Sequence, residues 1–353
     1  MHLGLDDLSG DLASALVGAG VAALAVTLLA PETDFPVVYQ RQNRAHLRLD
    51  GPRRDRIIEA VAEQLGVVLT EVKPYRLAGS AGSTPCRLRV ANGPAPFLFG
   101  KLYATNHVRS DRWYKFVRLL RYGRLEDEGP FASVRRLVEH EDYMLRLFRD
   151  QGLRVPRPYG VVEVVPGREY LLVTQLVPDA EEVLAAEIGD DVIDDALRQV
   201  RRMWDAGVAH RDVKPSNVLV RDGHVYLIDF AFGELRPSSW RQAVDLADMM
   251  LTLALRAGSR RVYDRAVRIF DPHEIAEAFA GAGSVTIPRQ LHRLQTAAGS
   301  DLVAEFRALA PYHPPIAVQR WSVRRVRLAV GTVAAVLGAV VLLVANLRAG
   351  QLL

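Results

Sequence analysis

The run from Gly207 to Phe232, GVAHRDVKPSNVLVRDGHVYLIDFAF, constrains the fold more than any other part of this 353-residue chain. It contains a His-Arg-Asp triplet, a Lys two residues later and an Asn three residues after that Lys. An apolar, strand-like stretch follows, and Asp229 lies at its end. A carboxylate that emerges from an apolar strand needs a partner, because an unpaired charge is costly to bury. The run therefore predicts a polar loop fixed against a buried strand, and a basic surface turn explains it poorly.

Composition excludes few functions but makes each lysine informative. The net charge is +4 and the arginines are spread along the chain, so the sequence does not indicate a nucleic-acid partner. Cys86 is the single cysteine, which rules out an intramolecular disulfide, fits a reducing compartment and predicts a strand residue without a redox role. Four of the 45 basic residues are lysines, so a lysine at a motif position is informative; they are Lys73, Lys101, Lys115 and Lys214.

Two apolar segments, residues 12–30 and 328–347, are long enough to cross a hydrocarbon core of about 30 Å as helices. The first contains no charged residue, and the second follows the basic stretch QRWSVRRVR. A signal peptide is disfavoured for the first segment because acidic residues precede it where a positive region is expected. A buried or interfacial helix stays open as an alternative for the first segment.

Arginine clusters at 41–56 and 320–327 border the central part of the chain on both sides. Because basic residues near a span resist translocation, both clusters favour the same side of the membrane. The sequence therefore predicts a cytoplasmic region over residues 31–327, with both termini outside.

The central region reads as a group of strands with one long helix, followed by helices. RRDRIIEAVAEQLG has helical apolar spacing, and the strand-like runs that follow include FLFGKLYA, which holds Lys101. FASVRRLVEHEDYMLRLFRDQG predicts a long helix, and GVVEVV and EYLLVTQLV predict a hairpin around Pro166 and Gly167. Helices dominate from Asp190 onward, and the sequence has no internal repeat or low-complexity tract. This order predicts a small β-rich lobe followed by a larger helical lobe.

The octapeptide HRDVKPSN matches the catalytic loop of protein kinases at every fixed position. From about Glu71 to Ala310 the chain resembles the protein-kinase-like superfamily. It looks like an atypical, actinobacterial-type, membrane-linked member near the RIO, lipopolysaccharide-kinase and aminoglycoside-phosphotransferase branches. The resemblance implies an α+β, bilobal protein-kinase-like fold with a small N-lobe, a larger helical C-lobe and flanking transmembrane helices. The predicted boundaries are 1–34 for an N-terminal segment with the first span, 35–70 for a cytoplasmic linker and helix, 71–177 for the N-lobe to the hinge, 178–315 for the C-lobe, and 316–353 for a basic junction with the second span.

The resemblance assigns the chemistry to four residues of the run. Asp212 would accept or orient the proton of an attacking hydroxyl, and Lys214 would offset charge on the transferring phosphoryl group. Asn217 and Asp229 would be the ligands of Mg²⁺ bound with ATP. These roles suit phosphoryl transfer, which requires positioning and charge neutralisation and little covalent chemistry from the protein.

Lys101 resembles the strand lysine that holds the α- and β-phosphates of ATP, although an ordinary strand lysine with its head in solvent is the alternative. Its partner is expected to be an acid on the following helix. Glu141 is favoured by its spacing to GLRVPRP, with Glu139 and Asp142 left open.

The remaining nucleotide contacts rest on weaker motifs. AGSAGS offers Gly79, Ser80, Gly82 and Ser83 as a phosphate-covering loop, but a lone Gly-x-x-Gly is a common turn. Its position between two strand-like runs, ahead of Lys101, favours the nucleotide role. The stretch Gln175 to Val177 resembles the hinge whose backbone meets the adenine, and a plain strand end is the alternative.

The segment after Asp229 departs from ordinary protein kinases. Ala231 stands where Gly is common, no Ala-Pro-Glu follows, and Asp245 resembles the helix residue that supports the catalytic loop. The short segment favours the atypical branches, whereas Lys214 is more typical of protein kinases, so the acceptor stays open between a protein Ser/Thr and an envelope or lipid-linked molecule.

The resemblance predicts a membrane-anchored cytoplasmic kinase that transfers the γ-phosphoryl group of Mg-ATP to a hydroxyl acceptor near the inner leaflet of the cell membrane. The alternative is an ATP-binding, pseudokinase-like regulatory module coupled to membrane partners. A membrane-linked ATPase with an Ala-rich nucleotide loop is disfavoured, because this chain has GSAGS at that place.

Overall fold

In a computed structural model, the chain divides into two compact units, residues 49–319 and residues 1–48 with 320–353. In the second unit the structure describes residue 327 and helical residues at 330–335, 337–338 and 340–341. In the first unit it describes residues 49, 51–75, 83–91, 95–104, 133–283 and 286–316.

The first unit contains a five-stranded antiparallel sheet. Its strands are β1 (Leu69–Pro74), β2 (Thr84–Val90), β3 (Phe97–Ala104), β4 (Pro158–Val165) and β5 (Glu169–Gln175). Their order across the sheet is β1-β2-β3-β5-β4, so β3 lies at the centre. β3 coincides with the predicted FLFGKLYA strand, and β4 and β5 form the predicted hairpin.

The two faces of the sheet pack against different helices, because side chains alternate along each strand. Leu98 and Leu102 lie on the face that shares a core with helix α1 (Pro52–Leu65), through Ile57 and Val61. The helix predicted to belong to a separate linker is therefore part of this unit. The boundary predicted at residue 71 falls inside the unit, which begins at Leu49.

The opposite face of the sheet packs against helix α2 (Val134–Asp150). Tyr103 of β3 lies with Val134 and Val138 in a small core on this side. Ser133 caps the helix, since its hydroxyl accepts a hydrogen bond from the amide of Arg136 at 3.3 Å. Lys101 precedes Tyr103 by two residues and so emerges on the same side as α2.

The second part of the unit is mainly helical. Its helices are α3 (Asp190–Asp205), α4 (Ser239–Ala257), α5 (Ser259–Ala266), α6 (Pro272–Gly281), α7 (Arg289–Ala298) and α8 (Leu302–Leu309). Its short strands are β6 (Glu181–Glu182), β7 (Val208–Ala209), β8 (Val218–Arg221), β9 (His224–Leu227) and β10 (Glu234–Leu235). α4 is buried along most of its length. The arrangement is the α+β, two-lobed, kinase-like fold expected from the sequence.

Within the described residues, no helix combines the length and the apolar composition that crossing a bilayer requires. The predicted span at 12–30 lies outside those residues, and the structure describes only part of the one at 328–347. The flanking transmembrane helices therefore stay predictions.

Candidate active site

The loop that carries HRDVKPSN runs from β7 to β8 and is held from below by a buried carboxylate of α4. Asp245 accepts hydrogen bonds from the amide of His210 at 2.5 Å and from the amide of Arg211 at 2.8 Å. Burial raises the pKa of Asp245 to about 7, although the two amide hydrogen bonds oppose this shift. Arg211 has a positive φ of 65°, so these amide bonds hold a backbone conformation that a residue with a side chain seldom adopts. Asp245 thus occupies the supporting position expected from the sequence.

His210 connects the loop to the end of β9 and has no exposed surface. Its Nε2 donates to the carbonyl of Ile228 at 3.0 Å, and its Nδ1 accepts from the amide of Asp212 at 3.3 Å. Burial lowers the pKa of His210 to about 4, so the ring is neutral near neutral pH. Its ring also packs against Phe148 and Phe230, at centroid distances of 6.4 and 4.9 Å. His210 therefore fixes the loop and does not face a reactant.

Asp212 is the centre of the loop's hydrogen-bond network. The Lys214 ammonium lies 2.5 Å from Asp212 Oδ2, and Asn217 Nδ2 donates to the carbonyl of Asp212 at 2.9 Å and to its Oδ2 at 3.0 Å. Burial raises the pKa of Asp212 to about 6, and the charge of Lys214 opposes the rise. A carboxylate that titrates near neutral pH suits a group that accepts or orients a proton.

A second cluster joins the sheet, α2 and the strand-end aspartate. Lys101 Nζ lies 2.8 Å from Glu141 Oε1 and 2.6 Å from Asp229 Oδ1. The hydroxyl of Tyr103 donates to the other oxygen of Glu141. Burial alone would raise the pKa of Asp229, but the charges of Lys101 and Lys214 outweigh it and lower that pKa to about 2. Asp229 is therefore ionised at every physiological pH.

The choice among the three candidate acids on α2 follows from the faces of the helix. Glu141 lies in the buried stripe of α2 with Val138 and Leu145, and its side chain is 4% exposed. Glu139 pairs with Arg135, and Asp142 pairs with Arg146, each through an i,i+4 ion pair on the helix surface. The structure thus brings Glu141 to Lys101, and neither alternative.

The backbone after Asp229 is shaped by that residue and by a later glycine. Asp229 itself has a positive φ of 69°, whereas Ala231 does not. A Cβ on Gly233 would lie 3.0 Å from the Met144 side chain, and the carbonyl of Gly233 meets His140 Nε2 at 3.0 Å. The close approach to α2 therefore uses Gly233, two residues beyond the place where kinases commonly have glycine.

The predicted nucleotide contacts are partly outside the described residues. Gly79, Ser80 and Gly82 are not among the described residues. Ser83 is described: it directly precedes β2, and its side chain is buried.

The residues predicted to form the hinge lie at the end of β5. Gln175 is the last residue of the strand. Its backbone amide donates to the carbonyl of Arg157 at 2.7 Å, and its side-chain oxygen accepts from the backbone amide of Arg157 at 3.2 Å. Val177 follows, and among the described residues none accepts a hydrogen bond from its amide. The adenine-binding role of this stretch stays a prediction.

Three residues that contact the loop or Lys101's partner were not anticipated from the sequence. Tyr103 donates to Glu141. Glu234 lies between two guanidinium groups, 3.3 Å from Arg211 and 3.4 Å from Arg241. Gln290, at the start of α7, accepts a hydrogen bond from Ser216. Tyr103 had a usable signal, since strand alternation puts it on the side of Lys101, whereas Glu234 and Gln290 lie far along the chain from the loop residues Arg211 and Ser216 that they contact.

The donor set suits Mg²⁺ bound together with phosphates. Asn217 turns its amide nitrogen to Asp212, so its oxygen points away from Asp212, and Asp229 is an ionised carboxylate. No group of three or more His, Cys, Asp or Glu side chains forms a complete metal site among the described residues. Mg²⁺ is usually held by one or two carboxylates together with substrate phosphates and water, so Asp229 and Asn217 would supply the protein's part of such a site.

Comparison with known proteins supports a kinase-like segment. Residues 101–233 match the family model described as the RIO domain, of the protein-kinase-like superfamily. A segment of 115 residues is 29% identical to KEOPS complex subunit Bud32 of Pyrococcus abyssi, covering 30% of this chain and 49% of that protein. A segment of 118 residues is 30% identical to 3-deoxy-D-manno-octulosonic acid kinase of Vibrio cholerae, covering 31% and 50%.

The chain thus spans about half the length of the curated relatives it matches. The similarities confirm the protein-kinase-like character predicted for the central region and are consistent with the RIO and lipopolysaccharide-kinase branches. The actinobacterial and membrane-linked features stay predictions.

Proposed function

We propose that the chain is an ATP-dependent phosphotransferase that moves the γ-phosphoryl group of Mg-ATP to a hydroxyl acceptor. The observation that carries the proposal is the contact of Lys101 with Asp229, at 2.6 Å. This ion pair joins the sheet lobe to the strand-end carboxylate that neighbours the HRDVKPSN loop. The relatives support it, since one is named as a kinase of 3-deoxy-D-manno-octulosonic acid.

Each residue of the site has a defined task in this reaction. Lys101, oriented by Glu141, binds the α- and β-phosphates. Asn217 and Asp229 hold Mg²⁺, which neutralises phosphate charge when bound. Asp212 accepts or orients the proton of the attacking hydroxyl, and Lys214 offsets the charge of the transferring group.

The acceptor is proposed to be a small or lipid-linked hydroxyl compound rather than a peptide. The chain passes from Asp229 to the start of α4 at Ser239 through one two-residue strand, β10. This segment leaves little chain to build a peptide-binding surface. A protein Ser/Thr acceptor is the alternative.

The test is transfer of γ-labelled phosphate from ATP by the full chain, with membrane lipid extract or with a protein mixture. We expect a labelled product, and an activity that falls below about pH 6, because protonated Asp212 cannot accept a proton. Removing the charge of Lys214 raises the pKa of Asp212. The fall in activity at low pH, the acid limb of the pH–activity profile, should therefore move to higher pH in Lys214→Met.

The matched control is Arg260→Met, an exposed residue of α5, whose acid limb stays in place. An acid limb that Lys214→Met leaves unmoved would exclude Asp212 as the titrating group. Mg-ATP binding without any transfer would favour the regulatory-module alternative.

The membrane anchor is a further part of the proposal and rests on the two apolar segments and the arginine clusters that flank residues 31–327. Reporter fusions at positions 2, 180 and 353 test it in cells. We expect the fusion at 180 to be active in the cytoplasm and the terminal fusions to be active outside, because the arginine clusters resist translocation. A reporter at 180 that works only outside the cytoplasm would contradict the topology and the kinase activity that depends on cytoplasmic ATP.

A further inference from the structure

The hydroxyl of Ser216 is held by a residue of α7 that is distant from the loop in sequence. Ser216 lies between Pro215 and Asn217 in the loop, and its Oγ donates to Gln290 Oε1 at 2.9 Å, across 74 residues of sequence. The amide of Ser216 points at the same oxygen, at 3.5 Å. Two donors that converge on one atom identify that atom as the oxygen of the Gln290 amide.

The neighbouring Asn217 amide is fixed in one orientation. Its nitrogen donates to the carbonyl and to Oδ2 of Asp212, so its oxygen points away from Asp212. The Oγ of Ser216 lies 3.4 Å from this Asn217 oxygen. Ser216 therefore has two acceptors within reach, Gln290 and Asn217.

A serine hydroxyl has one proton to donate. Gln290 Oε1 is the nearer acceptor, at 2.9 Å against 3.4 Å for Asn217 Oδ1, so the proton goes to Gln290. The lone pairs of the Asn217 oxygen then stay free of a competing donor. Without Gln290, the hydroxyl would turn to the Asn217 oxygen and compete with a cation for one of its lone pairs.

We propose that Gln290 is a positioning residue that keeps the Asn217 oxygen open to Mg²⁺ by holding the Ser216 hydroxyl away from it. The inference rests on the proposed function, in which Asn217 is a metal ligand. Partners that orient a ligand of a metal ion typically change its affinity by about 10- to 100-fold.

The experiment is a magnesium titration of the full chain at saturating ATP, with the rise in Tm as the readout. Gln290→Ala is expected to raise the magnesium concentration at half-maximal stabilisation about tenfold. Gln290→Glu keeps an acceptor at this place and is expected to stay close to the unmodified chain. Arg293→Ala, an exposed position on the same helix, is the control and should leave the midpoint unchanged.

The double variant Gln290→Ala/Ser216→Ala separates positioning from a merely structural role. With the hydroxyl gone there is no competing donor, so the magnesium midpoint should return to that of the unmodified chain, as in Ser216→Ala alone. If Gln290 only braced the loop, removing Ser216 would not restore the midpoint, and the inference would be overturned.

Two other outcomes would also test the role of Gln290. A Gln290→Ala midpoint equal to that of the unmodified chain would overturn the inference while leaving the proposed function intact. If the unmodified chain showed no magnesium-dependent rise in Tm with ATP, the proposed function would fail and the inference with it.

Discussion

Asp229→Asn is expected to abolish most of the rise in Tm that Mg-ATP gives the full chain. At a nucleotide concentration about 100 times its Kd, binding stabilises a protein by about 2.7 kcal/mol. Asp229 is the one ionised ligand proposed for Mg²⁺, with a pKa of about 2, and Asn supplies an uncharged oxygen in its place. The fold should survive the change, because Lys101 keeps its ion pair with Glu141.

The measurement is thermal unfolding with and without Mg-ATP. Asp222→Asn is a matched control, because Asp222 is exposed and also has a positive φ, which Asn tolerates. The control should keep the full rise in Tm. Equal rises in Asp229→Asn and in the unmodified chain would rule out Asp229 as a magnesium ligand.

Lys101→Met is expected to lower both stability and activity. The change leaves Glu141 and Asp229 without their shared ammonium, and breaking a buried ion pair by removing one partner costs about 3 kcal/mol. Phosphate transfer should fall by at least about 100-fold, since the phosphates lose their positioning group. Adding Glu141→Gln removes one stranded charge, so the double variant should regain part of the stability and none of the activity.

Urea unfolding and labelled phosphate transfer measure the two effects separately. Lys73→Met is the control, because Lys73 is 58% exposed and pairs with Glu71 at the surface of β1. Its free energy of unfolding should change by less than about 1 kcal/mol. A Lys101→Met protein as stable as the control would show that the ion pairs contribute little. Retained transfer would refute the role of Lys101 in binding phosphate.

Local patterns in the sequence were sufficient to predict most elements of the fold. The strand FLFGKLYA, the long helix before Gln151 and the hairpin around Gly167 were predictable, because each depends on periodicity and turn residues within a short window. The position of α1 was not predictable in this way. Its apolar stripe indicates a buried face, but the sequence does not say that the β1-β2-β3-β5-β4 sheet covers it.

Some features of the candidate site could likewise be predicted from the sequence, and others depend on tertiary packing. The spacing of Asp212, Lys214 and Asn217 is local, so the sequence by itself determined that these side chains share one loop. It also indicated that Lys101 has an acidic partner on the next helix. Which acid meets Lys101 was decided by the packing of α2 against the sheet, which buries Glu141 and leaves its neighbours at the surface.

Tertiary structure alone decided how the loop is held. Asp245 is 35 residues from the amide of His210 that it binds, and Gln290 is 74 residues from Ser216. A kinase-like pattern suggested the first contact, but nothing in the sequence near Gln290 indicates the second. Contacts of this kind depend on how α4 and α7 pack beneath the loop, and a single hydrogen bond between distant residues imposes no periodicity or composition that a sequence could display.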